Sequence, residues 1–386
     1  MLEWKKLGDV CELKGRIGFR GYTRDDQVDK GEGAISLSPG NIDNGFMDYD
    51  SCTYITWEKY EESPEIMVNV GDIILCKTAS VGKVARIHCL PEKATINPQL
   101  VLIKNIKTNP QYLFYVLADN PFQAKIKGLA GVGSVPNVSQ AKLASILIPI
   151  PSSAEQTRIV GILDTFTDSI ANLKEQIAQR HKQYEYYRDQ LLDLEGKEGV
   201  KMKLLGDICE IFDGTHQTPK YQDEGIKFVS VENITDLYAS KKYISFEDYQ
   251  NNYKTKPKKG DVLMTRIGDV GSCAVIDKEE PIAYYVSLAL LRPSVNLLLS
   301  NFIKYLLESA TGKIELRKKT LLTAVPLKIN LGDIGKLRLP IPSLTEQSRI
   351  VSILDTFEAS IANLEEQLKE REKQYEYYRN KLLTFK

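Results

Sequence analysis

Residues 149–192 and 340–383 can be laid over one another with 31 of 44 positions identical. A repeat of this strength limits the fold more than any property of composition, because both copies must take up one local structure. The shared text begins with Pro149–Ser152 and Pro340–Ser343, both Pro-Ile-Pro-Ser, and runs through Glu155–Gln156 and Glu346–Gln347. It continues through Arg158–Val160 and Arg349–Val351 to ILDTF-x-x-SIANL at 162–173 and 353–364. KQYEYYR (Lys182–Arg188, Lys373–Arg379) and a Leu pair (Leu191–Leu192, Leu382–Leu383) close it.

Apolar positions in the first copy step alternately by three and four: Leu163, Phe166, Ile170, Leu173, Ile177, Arg180, Tyr184, Tyr187, Leu191. The second copy repeats the steps at Leu354, Phe357, Ile361, Leu364, Leu368, Arg371, Tyr375, Tyr378 and Leu382. Such a heptad seam predicts a helix of about 34 residues, roughly 50 Å long, in each copy. Ser153 or Thr345 is the expected N-cap, after a Pro-rich stop. Each stripe is narrow and has no partner nearby in the chain, so the two helices are expected to bury their stripes against each other as an antiparallel coiled coil. Arg180 and Arg371 interrupt the seam in both copies. They either fix its register or carry their charge out to its edge.

At 386 residues the chain exceeds what one core usually supports, and it divides accordingly. Segments 1–148 and 201–339 share landmarks without sharing their bulk. Trp4–Gly15 answers to Met202–Gly214, Gly71–Gly82 to Gly260–Gly271, Tyr112–Leu117 to Phe302–Ser309, and Val135–Pro136 to Val325–Pro326. Short apolar runs bounded by Gly or Pro read as strands, and NPQYLFYVLADN and SNFIKYLLESATG as helices. The expected fold is mixed α/β, with two α+β domains (1–148, 201–339), two long-helix segments (149–200, 340–386) and an internal pseudo-twofold repeat. Cys11 and Cys209 hold matching places, which suggests core packing.

Signs of catalysis are missing. There is no phosphate loop and no dinucleotide fingerprint. Lys127–Asn137 is Gly-rich without the Lys and Ser/Thr that a phosphate loop needs, so it reads as a loop. Asn97-Pro98-Gln99-Leu100 falls short of the Asn/Asp-Pro-Pro-aromatic motif of an adenine methyltransferase. The six cysteines form no C-x-x-C pair, and the three histidines (His88, His181, His216) have no evident Ser or Cys partner. Catalytic residues, metal and cofactor are all expected to be none. No apolar run of about 18 residues occurs, and the start of the chain lacks a signal-peptide core, so a cytoplasmic location is expected.

Net charge is zero, with 17 basic and 17 acidic residues in 1–148 and 21 and 17 in 201–339. A nucleic-acid ligand would therefore be held with help from a partner. Two loops nonetheless suit nucleic acid. Leu13–Arg24 carries Lys14, Arg16, Arg20, Tyr22 and Arg24; Asp213–Tyr221 carries His216, Gln217, Thr218, Lys220 and Tyr221. Arg can pair bidentately with guanine and Gln with adenine. Lys77, Ser80 and Lys83, with counterparts Arg266 and Asp269, lie beside permissive glycines, and Ser134 and Asn137 lie in the Gly-rich loop. Lys258, Lys259, Lys318 and Lys319 have the character of phosphate contacts, which position without specifying.

A diverged domain followed by PIPS-x-x-EQ-x-RIV-x-ILD and a long helix, occurring twice, resembles the specificity subunits of type I restriction–modification systems. DGTHQTP resembles part of their target-recognition domains. The resemblance covers nearly the whole chain. It implies a non-catalytic subunit whose two domains each read one half of a bipartite double-stranded DNA target. It implies two antiparallel helices that set the gap and dock two methyltransferase subunits, with motor-nuclease subunits completing the complex. Two other readings remain open: the recognition subunit of a related assembly, and a coiled-coil scaffold whose globular domains bind proteins.

Overall fold

The central sheets account for the unbroken apolar runs of the sequence. A computed structural model describes residues 2–18, 21–131 and 135–385. The chain forms two compact units, one from residues 1–172 and 367–386, the other from 173–366. In the first unit, strands Glu12–Lys14, Leu100–Lys104, Ile73–Cys76 and Val84–Arg86 lie side by side in that order, with every pair antiparallel. Side chains alternate along a strand. Ile73, Leu75, Val101 and Ile103 therefore enter one core, and Ile74, Cys76, Leu100 and Leu102 another. Both faces are covered, which is why polar residues do not alternate with apolar ones.

Among the described residues, six helices are nine or more residues long: α1 (Pro110–Ala118), α2 (Asn120–Leu129), α3 (Ser153–Leu192), α4 (Ser300–Glu308), α5 (Ala310–Lys319) and α6 (Leu344–Leu383). In the first unit α1 and α2 cover one sheet face through Tyr112, Leu113, Phe122 and Ile126. A second sheet containing Gly33–Leu37, Thr53–Thr56 and Ala94–Ile96 covers the other through Ile35, Leu37 and Tyr54. The second unit repeats the plan. Strands Cys209–Asp213, Leu288–Pro293, Val262–Thr265 and Cys273–Val275 take the same order. α4 and α5 cover one face through Phe302, Leu306 and Leu316. A small sheet with Ile226–Val229 and Ile282–Tyr284 covers the other.

Two helical expectations change. The stretch read as one helix from Ser300 to Gly312 is α4 followed by α5, because Ser309 caps a new helix by accepting from Gly312 N. Helix α2 extends to Leu129, into the segment expected to be loop. Cys11 and Cys209 are buried as expected, and burial pushes both thiols up to about 12.

The long helices contain 40 residues each, or roughly 60 Å, six residues more than the seam required. Their N-caps lie one or two residues before those expected: Ser152 Oγ accepts from Glu155 N (3.4 Å) and Ser343 Oγ from Glu346 N (3.3 Å). Gln156 and Gln347, buried in both copies, fasten each helix start to its own unit. Gln156 Oε1 accepts from Thr108 Oγ1 (2.6 Å) and Asn109 N (3.1 Å), while its Nε2 donates to Pro151 O (2.9 Å). Gln347 Oε1 accepts from Leu299 N (2.9 Å), and its Nε2 donates to Leu297 O (2.9 Å) and Pro342 O (3.0 Å). Further along each helix, Asp164 accepts from Tyr115 Oη (2.5 Å) and Asp355 from Tyr305 Oη (2.6 Å).

The helices pack antiparallel. In the second unit Tyr184 Oη donates to Glu358 (3.2 Å) and His181 lies 3.9 Å from Glu365, so numbering falls on α6 as it rises on α3. There Phe357 stacks on Tyr187 (centroids 5.5 Å), with the Arg180 guanidinium 5.9 Å above the ring. In the first unit Phe166 stacks on Tyr378 (5.2 Å), with Arg371 5.7 Å above it. The seam arginines are half-buried and cover the opposing helix's phenylalanine, a cation–π contact that keeps the charge at the edge. Leu354→Ala, which empties a fully buried seam position, is expected to cost about 2–5 kcal/mol in denaturant unfolding. Glu370→Ala on the exposed face is expected to be near neutral.

Candidate nucleic-acid interface

In each unit three connecting segments meet at one end of the central sheet, because antiparallel neighbours place a strand's exit beside the next strand's entry. In the first unit these are the loop after Lys14, the hairpin turn 77–83 and the segment 135–140. Lys77 N donates to Gln99 O (2.9 Å), Val138 N to Lys77 O (2.9 Å) and Ala79 N to Pro136 O (2.9 Å). Thr78 Oγ1 also donates to Asn137 Oδ1 (2.8 Å).

The second unit builds the same arrangement from the loop after Asp213, the turn 266–272 and the segment 324–329. Arg266 N donates to Ser287 O (3.0 Å), Ile329 N to Arg266 O (3.0 Å) and Gly268 N to Leu327 O (2.7 Å). Backbone dihedrals agree position by position: φ is 63° at Ala79 and 85° at Gly268, then 99° at Gly82 and 106° at Gly271. Lys77 and Arg266 are thus the same structural position, as are Pro136 and Leu327, and Val138 and Ile329; on this register Val325 lies one residue before the position that answers to Val135.

The family described as the type I restriction modification DNA specificity domain matches residues 1–180 and again 197–373. The chain belongs to this family. A putative type I restriction enzyme specificity subunit of Haemophilus influenzae is 30% identical over 305 residues, 72% of this chain and 73% of that one. A type I restriction enzyme specificity subunit of Escherichia coli is 30% identical over 301 residues, 72% of each chain. Among solved structures, the S subunit of a type I restriction–modification system from M. genitalium superposes with TM-score 0.59 at 15% identity, covering 100% of this chain and 97% of that one. A chain from a study of complex assembly and conformational transition in the type I system gives 0.63 at 20% identity, covering 99% and 97%. At these identities the structures speak for the fold alone.

This specificity subunit carries two DNA-specificity domains and is the non-catalytic member of its class. Among its described residues no group of His, Cys, Asp or Glu could hold a metal ion, and no helix is long and apolar enough to cross a membrane.

Several expected contact residues stand on the loop ends. Ser80, Lys83 and Asn137 are exposed in the first unit; His216, Gln217, Thr218, Lys220, Tyr221 and Asp269 are exposed in the second. Lys14 is partly exposed and paired with Glu12 (3.0 Å), and Lys77 is half-buried. His216 Nε2 lies 2.9 Å from Asp213 Oδ2, bracing its loop. Lys318 and Lys319 end α5, directly before the hairpin formed by Thr320–Leu321 and Lys328–Ile329.

Other expected residues are placed differently. Arg16 is only 6% exposed: its Nε donates to Ile96 O (3.1 Å) and its Nη2 to Thr95 Oγ1 (3.2 Å), tying the loop to the second sheet. Burial pulls this guanidinium below its ordinary value. The bidentate guanine contact expected of Arg16 is not available from this position. Tyr22 is half-buried beneath it, sharing a 2.7 Å hydrogen bond with Ser36 Oγ. Arg266 also turns inward, its Nη1 3.3 Å from Asp213 Oδ1. Arg24 is exposed in the short turn Arg24–Asp26 beside the second sheet. Lys258 and Lys259 precede the strand Val262–Thr265, at the other end of the sheet from the loops, where they line an open cavity of about 620 Å³ with Arg292 and Ser300. Arg20 and Ser134 lie outside the described residues.

Two features emerge only in three dimensions: Asp213 as a brace for His216 and Arg266, and Val325 as an exposed tip. Arg16→Ala leaves buried acceptors without a donor. It is expected to destabilise the protein by about 1–3 kcal/mol, lowering its melting temperature, while Lys83→Ala leaves the melting temperature unchanged.

Proposed function

We propose that the two globular segments, 1–148 and 201–339, each read one half of a split double-stranded DNA target. The helical segments 149–200 and 340–386 set the gap and dock two methyltransferase subunits. The observation that carries this reading is the contrast between the two kinds of segment. The helices keep the same side chains twice, down to the Gln156/Gln347 and Phe166/Phe357 contacts, whereas the loops at the sheet ends share a backbone but not their residues. Two copies of one partner need two equivalent surfaces. Two different half-sites need two different sets of side chains.

On this reading the loop residues make the base contacts: the half-buried Lys77 with the exposed Ser80, Lys83 and Asn137 in the first domain, and His216, Gln217, Thr218, Lys220, Tyr221 and Asp269 in the second. Lys14, Lys318 and Lys319 meet phosphates. The zero net charge fits a subunit whose methyltransferase partners complete the grip on DNA. Motor-nuclease subunits add to this core for restriction, and the assembly works in the cytoplasm, beside the DNA it reads.

Long-read mapping of host adenine methylation with the gene present and deleted tests the reading. A two-part motif that vanishes on deletion is the expected result. An unchanged methylome with the methyltransferase demonstrably expressed would leave the scaffold reading in its place. Inserting a matched heptad into both α3 and α6, after Leu173 and Leu364, is expected to lengthen the gap between half-sites or abolish activity. An unchanged motif at full activity would remove the spacer role.

A further inference from the structure

The second unit exposes an aliphatic hairpin that no core explains. In residues 321–327, Leu321 is 40% exposed, Leu322 55%, Val325 99% and Leu327 41%. The base of the hairpin is firm. Thr320 pairs with Ile329 and Leu321 with Lys328, Ile329 is buried, and Gly268 N and Ile329 N bind it to the neighbouring turn. A side chain held out by a fixed backbone gives up little entropy when it is covered. A cluster of exposed aliphatic side chains on a fixed support marks a contact surface.

The charge around it says what kind of partner fits. From 313 to 328 the chain has five basic residues (Lys313, Arg317, Lys318, Lys319, Lys328) and one acidic residue, Glu315, which pairs with Lys318. Arg317, Lys318 and Lys319 form the last turn of α5, immediately before the hairpin. A basic rim around an aliphatic tip complements a polyanion that carries apolar groups between its charges. Duplex DNA has these features: phosphates on the rims of the major groove and thymine C5-methyl groups on its floor. The tip also belongs to the same loop cluster as His216 and Gln217, since Arg266 and Gly268 bind it on one side and Asp213 holds Arg266 and His216 on the other. The equivalent segment of the first unit has an exposed Val135 and a thinner basic rim, Lys125 and Lys127 on α2.

We infer that Val325 is a specificity-determining residue of the second domain, making an apolar contact with a thymine methyl group in its half-site while Arg317, Lys319 and Lys328 hold the flanking phosphates. The inference rests on the DNA-reading role proposed above and adds a base identity to it: the half-site of the second domain contains an A·T pair at the Val325 position.

The test uses the full chain assembled with its methyltransferase subunits and short duplexes carrying the mapped motif, each with one thymine replaced by uracil. Wild-type complex is expected to bind one uracil duplex about fourfold more weakly, the factor that one buried methyl group is worth. Val325→Ala is expected to lose about the same factor on the unmodified duplex and to be indifferent to uracil at that one position. It should keep wild-type sensitivity everywhere else. Val325→Thr, which keeps the shape and one methyl, falls between the two. Both variants alter a fully exposed side chain and are expected to melt like wild type. A uracil profile identical in wild type and Val325→Ala overturns the inference, as does a second-domain half-site in which no thymine-to-uracil replacement weakens wild-type binding. Loss of methyltransferase assembly in Val325→Ala with DNA affinity per complex unchanged also overturns it, in favour of a protein-docking tip. Failure of the underlying DNA-reading role has a different signature: wild-type complex would then show no preference for any duplex.

Discussion

A 40-residue helix whose apolar stripe is one side chain wide cannot stand alone in water, because most helical stability in proteins comes from covering such a face. The rest of this structure depends on how α3 and α6 meet that demand. Each helix is fastened at its start by a buried glutamine that saturates backbone groups of its own unit. Each then gives its stripe to the other helix. The aromatic residue at the critical position is enclosed twice, by a tyrosine on one side and an arginine on the other, in both units. A buried leucine at that arginine position would pack as well, but it would leave exposed apolar surface at the seam's edge. The guanidinium covers the ring and keeps its charge in water.

That division of labour explains why the repeated phrase is repeated so closely. Gln156, Asp164, Phe166, Arg180 and Tyr187 each meet a geometric requirement, and each requirement recurs at Gln347, Asp355, Phe357, Arg371 and Tyr378. No such demand acts on the loop ends of the two sheets. Their backbones are held by the same hydrogen bonds, and even Ala79 takes the left-handed conformation that Gly268 adopts in the other copy. Their side chains are free to differ, and they do. A rigid scaffold that presents variable loops is the usual division between stability and recognition.

The two loop clusters differ in chemistry as well as in sequence. The first unit places Lys77, Lys83 and Asn137 on a polar edge, with Arg16 withdrawn to join two sheets. The second withdraws Arg266 against Asp213 and sets an aliphatic hairpin beside a basic helix end. The two arginines leave the surface in different ways: Arg16 uses its several donors to tie its loop to the second sheet, whereas Arg266 pairs with the carboxylate of Asp213.

Sequence alone determined the parts governed by periodicity and repetition. The heptad steps, the doubled motif, the family resemblance and the mixed α/β character with matching landmarks all depend on residues near one another in the chain. Helix pairing followed because each stripe had only one possible partner of its own kind. Tertiary structure decided everything that depends on which distant segments meet. Arg16 and Arg266 look like surface cations in a string of letters, and only Ile96, Thr95 and Asp213, supplied by the fold, turn them inward. Lys258 and Lys259 look like members of a reading surface until strand direction sends them to the far end of the sheet. Val325, a plain aliphatic residue in sequence, becomes a feature because the hairpin beneath it finds its buried anchor in Ile329 and leaves the tip uncovered. Exposure is a property of the assembled neighbours of a residue, and those neighbours are chosen by the fold.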